Sequence, residues 1–448
     1  MNNNDRVNFG SRLGVVAAAA GSAVGLGNIW RFPYELGQNG GAAFLLIYLG
    51  FVLLLGMPIM LSEFLIGRMG QANSAGSFKQ IAPNSKWSLI GVMGVIASFL
   101  ILGFYAVVSG WTLEYVVQAI GDQFRNRDTA TLAQVFTNFS SNSYRPLLWM
   151  FLFAVGTYFI VLAGIKDGIE KSSKFLMPML LILIIALGAR SITLPNGYEG
   201  LQFLFRPDFS RINSEVVLGA MGQAFFSMSL GMGCMITYGS YINKKNQLSH
   251  TVIEVSIIDT IIAILASIAI FPAVFSLGIN PAQGPELVFI TLPSVFANIP
   301  GGYIWSIVFF VLLAVAALTS AISLLEVIVA YFVEEFKIKR QKAALIATII
   351  IIVLGTLASL SLGPLKDVQV FGHGLFSLFD TISSRILMPL GGLAIAIFTG
   401  WIIDTDKIKA ELSNNGKFNI KYVPVFLFLT RYLAPILISI IFIHQLLS

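Results

Sequence analysis

The stretch AGSAVGLGNIWRFP, Ala20–Pro33, lies inside an apolar run that starts near Leu13. The run is apolar enough to span a bilayer. Yet it carries three glycines, an asparagine, an arginine and a proline at its middle and far end. Glycine costs about 1 kcal/mol relative to alanine in a helix. Unwinding frees backbone N–H and C=O groups, and hydrocarbon cannot satisfy them. Freed carbonyls suit a hard cation such as Na⁺. N–H groups at the start of half a helix suit a carboxylate. One opened helix can hold both ends of a zwitterion together with sodium.

Composition sets the surroundings of this stretch. The chain has 448 residues, 56% hydrophobic and 11% charged. Soluble domains carry about 25% charged residues, so the reading is an integral membrane protein with many spans. Eleven runs approach the roughly 20 apolar residues a crossing helix needs. They lie at 13–35, 42–66, 88–120, 146–164, 174–190, 216–242, 254–277, 303–333, 343–361, 375–402 and 423–445. The runs are continuous and lack a two-residue alternation, which favours helices over barrel strands.

Lysine sets the expected direction. Fourteen of the 15 lysines fall in loops on one side, and only Lys366 lies opposite. By the positive-inside rule that side is the cytoplasm. The N-terminus is then inside and, after eleven spans, the C-terminus outside, as in a multi-pass protein of the cell (inner) membrane. The N-terminus lacks a signal-peptide cleavage site and is expected to be retained. The net charge of +6 is therefore a topology signal, with no nucleic-acid partner implied. The single cysteine, Cys234, excludes a disulfide framework and a cysteine-based metal site.

A second span repeats the oddity of the first. SMSLGMG, Ser227–Gly233, interrupts the sixth run, five spans after Ser22–Asn28. The two host helices therefore run in opposite directions. Paired glycine-interrupted spans in two halves point to a transporter's midplane site. Close helix packing would also account for Gly21 and Gly25, but less readily for two matched breaks.

GSAVGLGNIWRFP resembles the neurotransmitter:sodium symporter family, its bacterial amino-acid transporter branch in particular. So do NGGAAFLLIY (Asn39–Tyr48), SEFLIGR (Ser62–Arg68), YAVVSGWTLEY (Tyr105–Tyr115), GIEKSSKFLMP (Gly168–Pro178), GQAFFSMSLGMGCMITYGSY (Gly222–Tyr241) and ALTSAISLLE (Ala317–Glu326). The resemblance implies an all-α membrane protein of LeuT-like fold, with broken helices 1 and 6. A cytoplasmic tail, 1–12, would precede two inverted repeats of five helices, 13–190 and 216–402, separated by an extracellular loop, 191–215. A cytoplasmic loop, 403–422, and the eleventh helix, 423–448, would follow. Many members have a twelfth span. Its absence leaves the oligomeric state open.

The resemblance also implies a sodium-coupled symporter of hydrophobic or aromatic amino acids, with two sodium sites and no organic cofactor. The first sodium would meet Ala23, Asn28, Ser227, Asp259 and the substrate carboxylate. The second would meet Gly21, Val24, Ala316, Thr319 and Ser320. The substrate carboxylate would meet Leu26, Gly27 and Tyr105, and its ammonium Ala23, Phe226, Ser227 and Ser229. Gly25 stands where monoamine carriers have aspartate and would leave room for the substrate's own carboxylate. Ile101, Tyr105, Phe226, Met232, Ser320 and Leu324 would surround the side chain. From the residues alone, the Thr319–Ser320 pair is a weak signal, since hydroxyls in membrane helices more often bond a neighbouring carbonyl.

Acids inside spans are functional candidates: here Glu63, Asp259, Glu326 and Asp380. Asp259 stands where eukaryotic relatives have asparagine. Groups matching Tyr48, Gln223 and Ser227 bind chloride there, with a serine at the position of Ala263. The expectation is that Asp259 supplies the negative charge and transport is chloride-independent. Glu63 resembles the glutamate that holds the opened sixth helix. Arg31 and Asp380 resemble an outer gate, and Arg6 and Glu334 an inner one near Ser240 and Tyr241. Gly168 and Pro178 resemble a pair that lets the fifth helix unwind. A channel would need a continuous polar path, which is not seen. An enzyme is not expected, since no H-E-x-x-H, G-x-S-x-G or nucleotide loop occurs. A substrate sensor on the same fold cannot be told from a carrier by sequence.

Overall fold

A computed structural model describes residues 7–278 and 287–447. Among the described residues, nine helices are long and apolar enough to cross a membrane. They are Ala42–Gly70, Ser88–Ile120, Arg145–Leu162, Ile165–Ile192, Leu248–Ser276, Gly302–Glu335, Arg340–Leu360, Leu375–Ile402 and Val423–His444. The first span is Arg12–Ala23 and Gly27–Gln38, bent by 49° at their junction. The sixth consists of Ser214–Ser227 and a six-residue helix, Cys234–Gly239. With the bent first span counted as one, ten of the eleven expected spans are long and apolar enough among the described residues, and the sixth is split into pieces too short to cross alone.

Two spans begin earlier than expected, the seventh at Leu248 instead of near 254 and, by more, the fifth. The fifth span begins at Ile165 instead of near 174. Only Ala163 and Gly164 separate it from the fourth, and Gly164 makes the turn at φ +91°. That left-handed backbone favours glycine. The apolar run understated the helix because IKDGIEKSSK is polar: its first turns lie beyond the apolar stretch.

The two breaks arise differently. In the first span the helix ends where Val24 turns extended, φ −79° and ψ 102°. Pro33 lies in the second turn of the far half, just after the wide turn Gly27–Arg31, and has no N–H to continue that ladder. In the sixth, three residues adopt left-handed backbone: Ser229 at φ +54°, Gly231 at +77° and Gly233 at +79°. Gly233 then caps the start of Cys234–Gly239.

The broken spans lie inside. The eighth and third spans pack along each other and are the most enclosed, with 72% and 67% of their apolar windows buried. The fourth, fifth and eleventh reach only 33%, as expected of helices facing lipid. The first span lies against the fifth, seventh and eighth. Thr129–Ser140 and a second short apolar helix, Val288–Asn298, cover the lysine-poor end. Their rings Phe136 and Phe289 pack with Trp111, Tyr115 and Phe310. The short helices Ser74–Ile81 and Thr405–Ser413 lie at the lysine-rich end.

Candidate functional site

The two breaks meet and are bonded to each other. Ser229 Oγ donates to the Ser22 carbonyl at 2.8 Å. Asn28 Nδ2 donates to Ser227 Oγ at 3.2 Å, and Gln223 Nε2 to the Gly27 carbonyl at 3.1 Å. Glu63 of the second span supports the sixth break: its Oε1 accepts the Gly231 N–H at 2.7 Å. Freed backbone groups are thus satisfied by side chains, as a buried backbone requires.

A cavity lies between the breaks and the third and eighth spans. Ser22, Ala23, Gly25, Gly27, Ile101, Tyr105, Phe226, Ser229, Met232, Ser320 and Leu324 line it. It offers about 20 Å³ to the centre of a water-sized sphere. Ten of the twelve residues expected around the substrate line this cavity. The other two, Leu26 and Ser227, lie beside it in the two breaks. Tyr105 Oη accepts the Leu26 N–H at 3.2 Å. A Cβ on Gly25 would sit 2.2 Å from Ser320 Oγ and 2.8 Å from the Tyr105 hydroxyl. No larger residue fits there without displacing both.

Oxygens gather at two places beside the cavity. In one, Thr319 Oγ1 lies 3.1 Å from the Val24 carbonyl and 2.9 Å from that of Ala316. Ser320 Oγ lies 3.4 Å from the Gly21 carbonyl and 3.3 Å from that of Val24. The hydroxyls thus bond neighbouring carbonyls, those of Gly21, Ser22 and Val24 in the opened helix and that of Ala316 in their own. In the other place Asp259 is fully buried. Its carboxylate accepts from Asn28 Nδ2 at 2.7 Å, Ser227 Oγ at 2.8 and 3.0 Å, and Tyr48 Oη at 3.3 Å. Among the described residues no group of three His, Cys, Asp or Glu could hold a metal. The donors on offer are peptide carbonyls, hydroxyls, one amide and one carboxylate, which suit a hard cation.

Above the cavity the Arg31 guanidinium lies 4.5 Å from the Phe226 ring centre. It faces Asp380 at 3.7 Å and Glu35 at 3.8 Å. The second carboxylate was not expected from the sequence, although Glu35 is four residues on from Arg31 and so on the same helix face.

The lysine-rich end holds the residues expected of an inner gate. Arg6 lies outside the described residues. Glu334 accepts from Asn73, N–H at 2.6 Å and Nδ2 at 3.1 Å. Among the described residues, the segment before the first span is held from Phe9 onward. Phe9 N–H donates to the Tyr241 carbonyl at 3.1 Å, and its ring stands edge-on to Tyr238 and Tyr241. Arg12 pairs with Glu254 of the seventh span. Glu326, the buried acid of the eighth span, binds Arg340 through two contacts at 2.5 and 3.1 Å and accepts from Tyr241 Oη at 2.8 Å.

Comparison with known proteins gives this geometry a context. A model of the Sodium:neurotransmitter symporter family matches residues 6–129 and 123–448. The chain is 39% identical to YhdH of Bacillus subtilis, an uncharacterized sodium-dependent transporter, over 98% of this chain and 97% of that one. It is 37% identical to an uncharacterized sodium-dependent transporter of Haemophilus influenzae, over 99% of each. The crystal structure of MhsT in complex with L-phenylalanine superposes with a TM-score of 0.91 at 48% identity. That match covers 98% of this chain and 100% of MhsT.

Proposed function

The chain belongs to the sodium:neurotransmitter symporter family, whose members are membrane transporters and not enzymes, and on that premise we propose that it carries hydrophobic or aromatic amino acids together with sodium. The observation that carries this reading is the cavity itself. It joins the Leu26 N–H and the Tyr105 hydroxyl, beside a Gly25 that puts no side chain into the cavity, with the apolar side chains of Ile101, Met232 and Leu324. The first group takes a carboxylate and the last an apolar side chain. Binding of L-phenylalanine by MhsT supports the same substrate class. Met232 can repack around side chains of different size.

In this reading sodium is cargo and glue. One ion sits among Ala23, Asn28, Ser227, Asp259 and the substrate carboxylate. The other sits among Gly21, Val24, Ala316, Thr319 and Ser320. The substrate ammonium meets the carbonyls of Ala23, Phe226 and Ser227 and the Ser229 hydroxyl. Asp259 takes the hydrogen bonds of Tyr48 and Ser227, the groups that would otherwise face a chloride. Transport is therefore chloride-independent. The lysine-rich end faces the cytoplasm, with the N-terminus inside and the C-terminus outside.

Sodium and substrate enter from outside while Arg31 stands apart from Asp380. Closure places Arg31 over Phe226 and seals the cavity. The end held by Phe9 and Tyr241 then opens, and the cargo leaves. Moving one charge through 100 mV yields about 2.3 kcal/mol, and a tenfold sodium gradient adds about 1.4 kcal/mol. Two ions supply about 7 kcal/mol, enough for ~10⁵-fold accumulation of a neutral zwitterion.

Uptake of labelled amino acids into proteoliposomes tests the whole scheme. Concentrative, saturable uptake of leucine-like or aromatic substrates under an inward sodium gradient is expected. It should survive replacement of chloride by gluconate. Binding without sodium-driven uptake would make the protein a sensor. Non-saturable flux would make it a channel.

A further inference from the structure

Glu170, in the first turns of the fifth span, is 4% exposed. Its Oε2 accepts the Gly10 N–H at 2.6 Å, and its Oε1 accepts from Ser11 Oγ at 2.9 Å and Lys174 Nζ at 2.6 Å. Ser11 in turn caps the first span, its Oγ accepting the Gly14 N–H at 3.0 Å. The fit is close: a Cβ on Gly14 would lie 2.2 Å from Glu170 Oε1 and 2.3 Å from Cδ. Gly14 therefore leaves the room the carboxylate fills.

The helix that carries Glu170 is wound loosely at this point. Ile165–Glu170 forms a wide π-type turn directly after Gly164, and Pro178 lies two turns further along. Wide turns inside helices mark places where the backbone can rearrange. The segment Glu170 grips continues into Phe9 and Tyr241, the contact that closes the lysine-rich end. One carboxylate thus bridges the two elements that must move for that end to open.

We propose that Glu170 is a positioning residue that couples them, so that the segment before the first span and the first turns of the fifth are released as one unit. The inference rests on the alternating-access reading above. If the first span left alone, the carboxylate would lose the Gly10 and Ser11 donors and keep only Lys174. A buried carboxylate short of donors is penalised by its desolvation, and its charge-assisted bonds are the stronger kind. Half-open arrangements are therefore disfavoured. Opening becomes all-or-none, which keeps the cavity from leaking toward the cytoplasm while the outer gate is apart.

Hydrogen exchange on the full-length protein in nanodiscs, in sodium and in potassium buffer, tests this. The segments compared are 9–16 and 165–174. In the parent both should exchange slowly in sodium and accelerate together in potassium. Glu170→Gln should raise exchange in both segments by about tenfold, the effect of losing one charged hydrogen bond, and abolish the sodium effect. Gly14→Ala should do the same by displacing an intact Glu170, which decides the matter if Glu170→Gln does not fold. The double variant should exchange no faster than either single one. Acceleration of 165–174 alone, or additive effects in the double variant, would overturn the coupling. A parent indifferent to sodium in both segments would count against the transport reading instead, and the joint response of the variants would still decide the coupling.

Discussion

Gly25 decides what the cavity can hold. A methyl there meets Ser320 Oγ at 2.2 Å, in the oxygen cluster proposed for sodium. Gly25→Ala should weaken substrate binding by at least about 100-fold, the cost expected when a packed site is overfilled and a cation ligand displaced. Isothermal titration in saturating sodium would measure it, with the thermal midpoint as the control for folding. Asp259→Asn should lower sodium-driven uptake by about tenfold or more, because Asn28, Ser227 and Tyr48 then face an amide instead of a charged acceptor. Flux in chloride and in gluconate would show it. Single residues were unevenly legible in the sequence. Glycines and acids within apolar runs announce themselves, since each is costly there. Glu35 was readable from its four-residue spacing to Arg31. Arg12 with Glu254, and Glu170 with Gly10 and Ser11, were not. These pairs are more than 150 residues apart, and no local pattern ties them together.

The broken helices set the next scale. Gly231 and Gly233 hold left-handed backbone, and a Cβ on Gly231 would lie 2.3 Å from the Met388 carbonyl oxygen. Gly231→Ala should therefore lower the thermal midpoint by several degrees. At Gly233 the nearest contact is 3.2 Å, to the Ser74 side chain. The cost there is mainly the left-handed backbone, about 1–2 kcal/mol for an ordinary residue. Gly233→Asn should accordingly be milder than Gly233→Val, since asparagine tolerates that conformation. Differential scanning fluorimetry in detergent orders the three. The breaks were readable because clustered glycines weaken a membrane span, and the backbone groups they free must find partners inside the protein. The early start of the fifth span was not. Its first turns are polar, and hydropathy marks the part of a helix that lies in lipid, not where its hydrogen bonding begins.

Across the whole molecule, apolar length alone marked the spans, nine of them unbroken among the described residues. Their packing order did not, because every lipid-soluble helix offers a similar apolar surface. The third and eighth could be recognised as the inner pair only in three dimensions. Orientation rests on lysine placement. Alkaline phosphatase fused after Ser448 should be active on the outer face of cells, and an inactive fusion would reverse the proposed topology. Transport should also sense voltage. An inward-negative potassium diffusion potential of about 100 mV should raise substrate accumulation roughly 50-fold per coupled sodium. Accumulation indifferent to voltage would mean that no net charge accompanies the amino acid. The bonds that tie the first break to the sixth, Ser229 to Ser22, Asn28 to Ser227 and Gln223 to Gly27, carry one more implication. Neither fractured rod can pivot by itself, so the pair should rock as a single lever against the third and eighth spans as its fulcrum, and a crosslink pinning either rod there would stall both.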